Sequence, residues 1–169
     1  YRTTDEIRKW AVALLADEKI DDLDEGNDSH SDYKSLYNGP KPEIKNFPEF
    51  NDELKYIHEY IGNIKKVDNE SKICIVLRTK KLVDTYYDYF SSKDFQTLKI
   101  SRNSKDDLSN TNVRIATMHR VKGLDFEHVI IASMNKGIVP HETSEISDEE
   151  LINKEYLQKE KSLVFVAAT

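Results

Sequence analysis

The sequence predicts an α/β fold built on an open parallel sheet, and three observations support that prediction. Residues 72–77 (KICIVL) and 128–132 (HVIIA) are short continuous apolar runs, the pattern of strands covered on both faces. Between the strand segments, apolar residues recur at helical spacing. Polar groups bunch where strands stop, and open α/β sheets build ligand sites at such points.

In chain order, Ile7, Trp10, Ala11, Leu14 and Leu15 predict a helix over about residues 4–16, and Thr3 precedes Glu6 at capping-box spacing. Tyr1 and Arg2 place an aromatic ring and a guanidinium at that helix start. A base could stack on Tyr1 and an anion could meet Arg2, although spacing alone favours a staple and a surface charge. Residues 17–48 form a polar connection that Tyr33, Leu36 and Tyr37 are expected to anchor. Its aspartates do not make a calcium loop. With Gly26 at position 6, Leu23 falls at position 3 and cannot ligate, so no metal site is expected.

Phe50, Leu54, Ile57 and Ile61 predict an amphipathic helix that ends at Gly62-Asn63. The 72–77 strand follows, with Cys74 as core. Arg78, Thr79, Lys80 and Lys81 then lead into a helix carrying Leu82, Val83, Tyr86, Tyr87 and Phe90, so cations meet a helix N-terminus at a strand end. Tyr86, Tyr87 and Tyr89 read as helix core and rim rather than base-stacking platforms. Residues 95–100 alternate as a short strand, and residues 101–112 are a polar connection.

Residues 113–116 alternate again and run into Thr117 and His119, whose side chains can bond phosphate oxygens or sugar. Lys122, Gly123 and Asp125 follow; glycine lets backbone approach a ligand closely, with an anion beside it. Ser147 and Glu150, again at capping-box spacing, open a last helix with Leu151, Leu157, Leu163, Val166 and Ala167 on or near one face.

The 169 residues are the size of one domain, and 38% hydrophobic with 33% charged residues suits a polar but foldable chain. No apolar run approaches the ~20 residues that span a bilayer. Cys74 is the only cysteine, so an internal disulfide is impossible; a reducing, cytoplasmic setting is expected. The chain starts at Tyr1 and stops at Thr169 within a helical pattern, so it reads as a piece of a longer protein. The formal charge of −6 is uneven: residues 1–64 carry −7, residues 65–122 carry +6, and residues 123–169 carry −5. A basic middle permits a local phosphate-binding surface.

The segment from Thr117 through His119, Lys122, Gly123, Leu124, Asp125 and Phe126 resembles the T-x-H-x-x-K-G-L-[ED]-F motif of UvrD/Rep-type superfamily 1 DNA helicases. Tyr1-Arg2-Thr3-Thr4 resembles the family's N-Y-R-[ST]-[ST] element, and residues 136–141 (KGIVPH) resemble its G-x-x-P turn near the DNA track. Residues 159–169 resemble E-E-R-R-L-x-[YF]-V-A-x-T-R, with Lys159 in place of the first acid and Ser162 in place of the second basic residue. The resemblance implies a RecA-like second lobe of the P-loop NTPase type, its parallel sheet flanked by helices and cut before the final strand. It implies ATP with Mg2+ bound jointly with an N-terminal RecA-like lobe. Tyr1 would stack on adenine, Arg2 would act catalytically at the γ-phosphate, and Gly123 and Asp125 would bind nucleotide, Asp125 at the ribose where most relatives have Glu. Arg78, Thr79, Thr117, His119 and Lys122 would contact single-stranded DNA; Lys80 stands where Asn is more usual. The large domain that UvrD and Rep insert at the 101–112 connection has no room there, which implies a compact member. No G-x-x-x-x-G-K-[ST] occurs in the sequence, so no ATP hydrolysis is expected of this chain alone. A non-catalytic or RNA-polymerase-associated remodelling factor on the same fold is the alternative.

Overall fold

The computed structural model describes residues 3–15, 37–93, 95–101, 113–141 and 150–169. These fall into two compact units, one comprising residues 44–139 and the other residues 1–43 with 140–169.

The larger unit is built on a four-stranded sheet: β1 (Ile73–Leu77), β2 (Thr97–Lys99), β3 (Val113–Thr117) and β4 (His128–Ile131). The order is β2-β3-β1-β4, and every pairing is parallel. β1 is fully buried along its length, as its unbroken apolar run requires. Side chains alternate along each strand, which gives the sheet two distinct faces. Ile73, Ile75 and Leu77 of β1 join Val113 and Ile115 of β3 in one core cluster. Leu54, Ile57 and Ile61 of α1 (Phe50–Val67) and Val83, Tyr86 and Phe90 of α2 (Lys80–Ser91) complete it. Each such fully buried aliphatic side chain contributes about 1.5–3 kcal/mol.

The opposite face holds an unexpected group. Arg114 is fully buried in β3, in register with Cys74 of β1. The alternation of residues 113–116 ordinarily marks a half-solvated strand, but here the guanidinium lies 5.9 Å from the centre of the Phe126 ring, a contact that suits a delocalised cation.

Several expectations are corrected. Gly62-Asn63 does not end α1, which continues to Val67. The burial of Ile61 and the packing of Ile64 against the core outweigh the weak helix propensity of one glycine. β4 is parallel but not covered on both faces: it is an edge strand, and Val129 is 41% exposed. Tyr86 is core, as expected, and Tyr87 and Tyr89 are rim. Lys99 and Lys93 lie over their rings at 4.4 and 4.6 Å.

The smaller unit contains α3 (Asp5–Ala13) and α4 (Glu150–Ala168). Thr4, not Thr3, caps α3, its Oγ1 accepting from Ile7 N. Tyr37 holds this unit through its backbone, its carbonyl accepting from Asp5 N, while its ring is largely exposed. The buried side of α4 is Glu160, Val164 and Ala167, whereas Leu157 and Val166 face outward. The apolar pattern is right at Ala167 but misplaces Leu157 and Val166, because a buried glutamate lies on the true stripe; Ser147 and the Leu151 side chain lie outside the described residues. Among the described residues, no helix is long and apolar enough to cross a membrane.

Candidate functional site

The register of the sheet decides which polar groups meet. Leu77 is opposite Thr117, and Val76 is opposite Ile131, so β1, β3 and β4 all end at one edge. Arg78 and Thr79, Thr117, and the residues after Ile131 therefore emerge side by side there. This is the edge at which open parallel sheets bind ligands. Thr79 is committed to the fold as well as to the edge: it caps α2, its Oγ1 accepting from Leu82 N at 3.2 Å. Lys80 and Lys81 fill the first turn, which holds no acid. Their charges oppose the helix dipole and raise the positive potential at this edge.

Beyond Thr117 the chain makes one short 3-10 turn, Met118–Arg120. Met118 and Val121 are buried and seat the turn, which leaves His119, Arg120 and Lys122 exposed. The result is a small basic ridge. Arg120 belongs to it although the sequence reading passed over it, because it occupies an unspecified position of the motif. Its only signal was its place between two named motif residues, His119 and Lys122.

The chain then reverses. Leu124 N donates to Val121 O at 3.0 Å, closing a turn with Gly123 at φ +81°. At the far end of the loop, Glu127 Oε2 accepts from Lys72 N, and Glu127 N and His128 N donate to Lys72 O. Lys72 precedes β1, so the loop crosses from the C-terminal edge of the sheet to its N-terminal edge. The structure thus groups Arg78, Thr79, Thr117, His119 and Lys122, while Gly123 and the exposed Asp125 lie farther along the crossing loop. Tyr1 and Arg2 lie outside the described residues.

β4 continues this edge with a second unusual backbone. Ala132 N makes the last ladder bond, to Val76 O. Ser133 then adopts φ +55°, the only non-glycine positive φ among the described residues. Residues 134–140 follow, with Ile138 N and Val139 N both bonded to Asn135 O and Gly137 at φ +85°.

In the smaller unit, Thr3 Oγ1 donates to Thr169 O at 2.6 Å, joining the residue after Arg2 to the end of α4. Glu160, 4% exposed, accepts from His141 N, and Tyr156 donates to the His141 carbonyl. No cluster of three or more potential metal ligands occurs among the described residues.

The all-parallel sheet with its flanking helices has the architecture of an α/β, RecA-like fold. Residues 96–169 match the family model of the UvrD-like helicase C-terminal domain. This part of the chain is thus of UvrD-like helicase C-terminal type, as its motif indicated. No curated protein matches the chain.

Proposed function

We propose that this chain is the C-terminal motor lobe of an ATP-dependent DNA helicase or translocase, which completes an ATP site and grips one DNA strand. The observation that carries this reading is the UvrD-like helicase C-terminal match over residues 96–169, which spans the whole loop from Thr117 to Phe126. The grouping of Arg78, Thr79, Thr117, His119 and Lys122 at one sheet edge supports the strand-gripping role, since such groups bond phosphates without reading sequence.

ATP with Mg2+ would be held jointly with an N-terminal RecA-like lobe. Two features of this chain fit that role. Gly123 has open space where a β-carbon would stand, and the neighbouring Asp125 carboxylate is exposed, leaving room for a ribose hydroxyl. Thr3, which directly follows Tyr1 and Arg2 in the sequence, is hydrogen-bonded to Thr169 at the end of α4. When bound, the nucleotide supplies a transferable phosphoryl group; Arg2 would stabilise its developing charge, and Tyr1 would stack on its base. Cleft closure on ATP and opening after hydrolysis would move the two lobes along the strand.

The test is ATP hydrolysis by the full-length protein with and without single-stranded DNA, wild type beside Arg2→Ala. Stimulation that collapses in the variant supports the motor and the role of Arg2. Absent hydrolysis with retained nucleic-acid or polymerase binding would replace the motor with a scaffold built on the same fold.

A further inference from the structure

Ser133 is 2% exposed, sits at the end of β4, and holds the left-handed conformation that disfavours every residue with a β-carbon. Such a backbone persists only where its surroundings over-determine it. Here they do, through two helices distant in sequence. Glu53 of α1 receives Ser133 N on Oε1 at 2.8 Å, capturing the first amide that the sheet no longer pairs. Glu53 Oε2 accepts from the Tyr86 hydroxyl of α2 at 2.9 Å, and Ser133 Oγ lies 2.8 Å from that hydroxyl and 3.4 Å from Oε2. With its hydrogen committed to Glu53, Tyr86 accepts from the serine. Burial, reinforced by the nearby Glu53 carboxylate, holds the Tyr86 hydroxyl protonated far above the ordinary tyrosine range, so it remains a donor.

The consequence reaches the turn that follows. Residues 134–139 form a turn closed on itself by the Asn135 carbonyl and by Gly137. Its direction is set where it joins the sheet, at the φ of Ser133. A polar triad there serves a different purpose from the apolar cluster around it: it fixes one backbone angle at the ligand edge. Apolar packing alone would leave the Ser133 amide unpaired, at a free-energy cost, and the angle free to relax toward the ordinary region.

We infer that Glu53, with Tyr86, is a positioning residue for single-stranded DNA: it aims the 134–139 turn at the strand. This rests on the proposed DNA-gripping role of the sheet edge and goes beyond it, by assigning a function to two helix residues that touch no ligand.

The experiment measures DNA-stimulated ATP hydrolysis and binding of a fluorescent oligothymidine by the full-length protein. Glu53→Ala, Glu53→Gln, Tyr86→Phe and the core variant Phe90→Leu are compared with wild type, with a thermal melt of each. Glu53→Ala is expected to raise the half-maximal DNA concentration about tenfold, and Glu53→Gln and Tyr86→Phe about threefold, the loss lying in DNA affinity rather than in the rate at saturating DNA. Glu53→Gln is milder because its amide oxygen still accepts from Ser133 N. Phe90→Leu should lower the melting temperature without changing DNA affinity. Should Glu53→Ala fail to fold, Tyr86→Phe, which keeps the ring, carries the test. Unchanged DNA affinity in the Glu53 and Tyr86 variants, or an equal change in Phe90→Leu, overturns the inference while leaving the motor reading intact. A wild-type protein that neither binds DNA nor is stimulated by it overturns both.

Discussion

Replacing Gly62 and Gly123 by alanine, one at a time, makes the same methyl group act in opposite directions. Both sites are sterically open: a β-carbon at either meets no atom within 4 Å. Packing therefore cancels, and backbone conformation decides. Gly62 lies inside α1, where alanine is favoured over glycine by about 0.8–1 kcal/mol. Gly123 sits at φ +81°, where a β-carbon costs about 1–2 kcal/mol. For a chain of this size, 1 kcal/mol moves the melting midpoint by about 2–4 °C. Gly62→Ala should thus melt about 2–4 °C above wild type, and Gly123→Ala at least as far below it, in circular-dichroism melts checked by urea titration. A lower midpoint for Gly62→Ala would mean that the helix stops near Gly62, as the sequence pattern alone suggests. A higher midpoint for Gly123→Ala would remove the left-handed turn from the loop.

Two further outcomes test the edge and the smaller unit. Thr79→Ala removes the side-chain cap of α2 and should cost about 1 kcal/mol, visible as a lower urea midpoint with an unchanged slope. Asp5 is held below its ordinary pKa, chiefly by its hydrogen bond from Lys9, with Arg8 adding to the effect, and burial opposes both. A depressed folded-state pKa stabilises above the unfolded value near about pH 4 and is lost as pH falls through the lower folded value. Asp5→Asn should therefore reduce stability at neutral pH and flatten the acid side of the melting profile. A melting profile identical to wild type from neutral pH down through pH 4 would show that the ion pairs contribute nothing.

What the sequence made legible was what local pattern can encode. The β1 run, the helix around Leu54 and Ile57, and the core role of Tyr86 all follow from periodicity within a dozen residues. The motif loop was legible because its residues are contiguous. The Ser133 triad was not: Glu53 and Ser133 are 80 residues apart and Tyr86 lies between them, so no window contains the carboxylate and the amide it receives. Arg114 was hidden for a related reason, since only the fold brings Phe126 over its guanidinium. Glu160 misled the reading of α4 because a charged residue on a helix is ordinarily solvated, and here it accepts a backbone amide from His141.

A net charge of −6 argues against a polyanion partner only if charge acts as a total, and at physiological salt it does not: screening confines it to about 8 Å. Directly after β3 the structure presents His119, Arg120 and Lys122 as exposed residues of one short segment seated by Met118 and Val121. Each cation that contacts phosphate of a single strand should contribute about 0.7 to the slope of log affinity against log salt. Arg120→Ala and Lys122→Ala should therefore each flatten that slope by about 0.7 for oligothymidine binding by the full-length protein, with additive effects in the double variant. The Arg120 arm is the sharper one, because the motif does not specify that position and only the geometry of the turn nominates it. A slope that Arg120→Ala leaves unchanged while Lys122→Ala reduces it would restrict the contact to the motif residues. A slope indifferent to both would place the strand away from this turn.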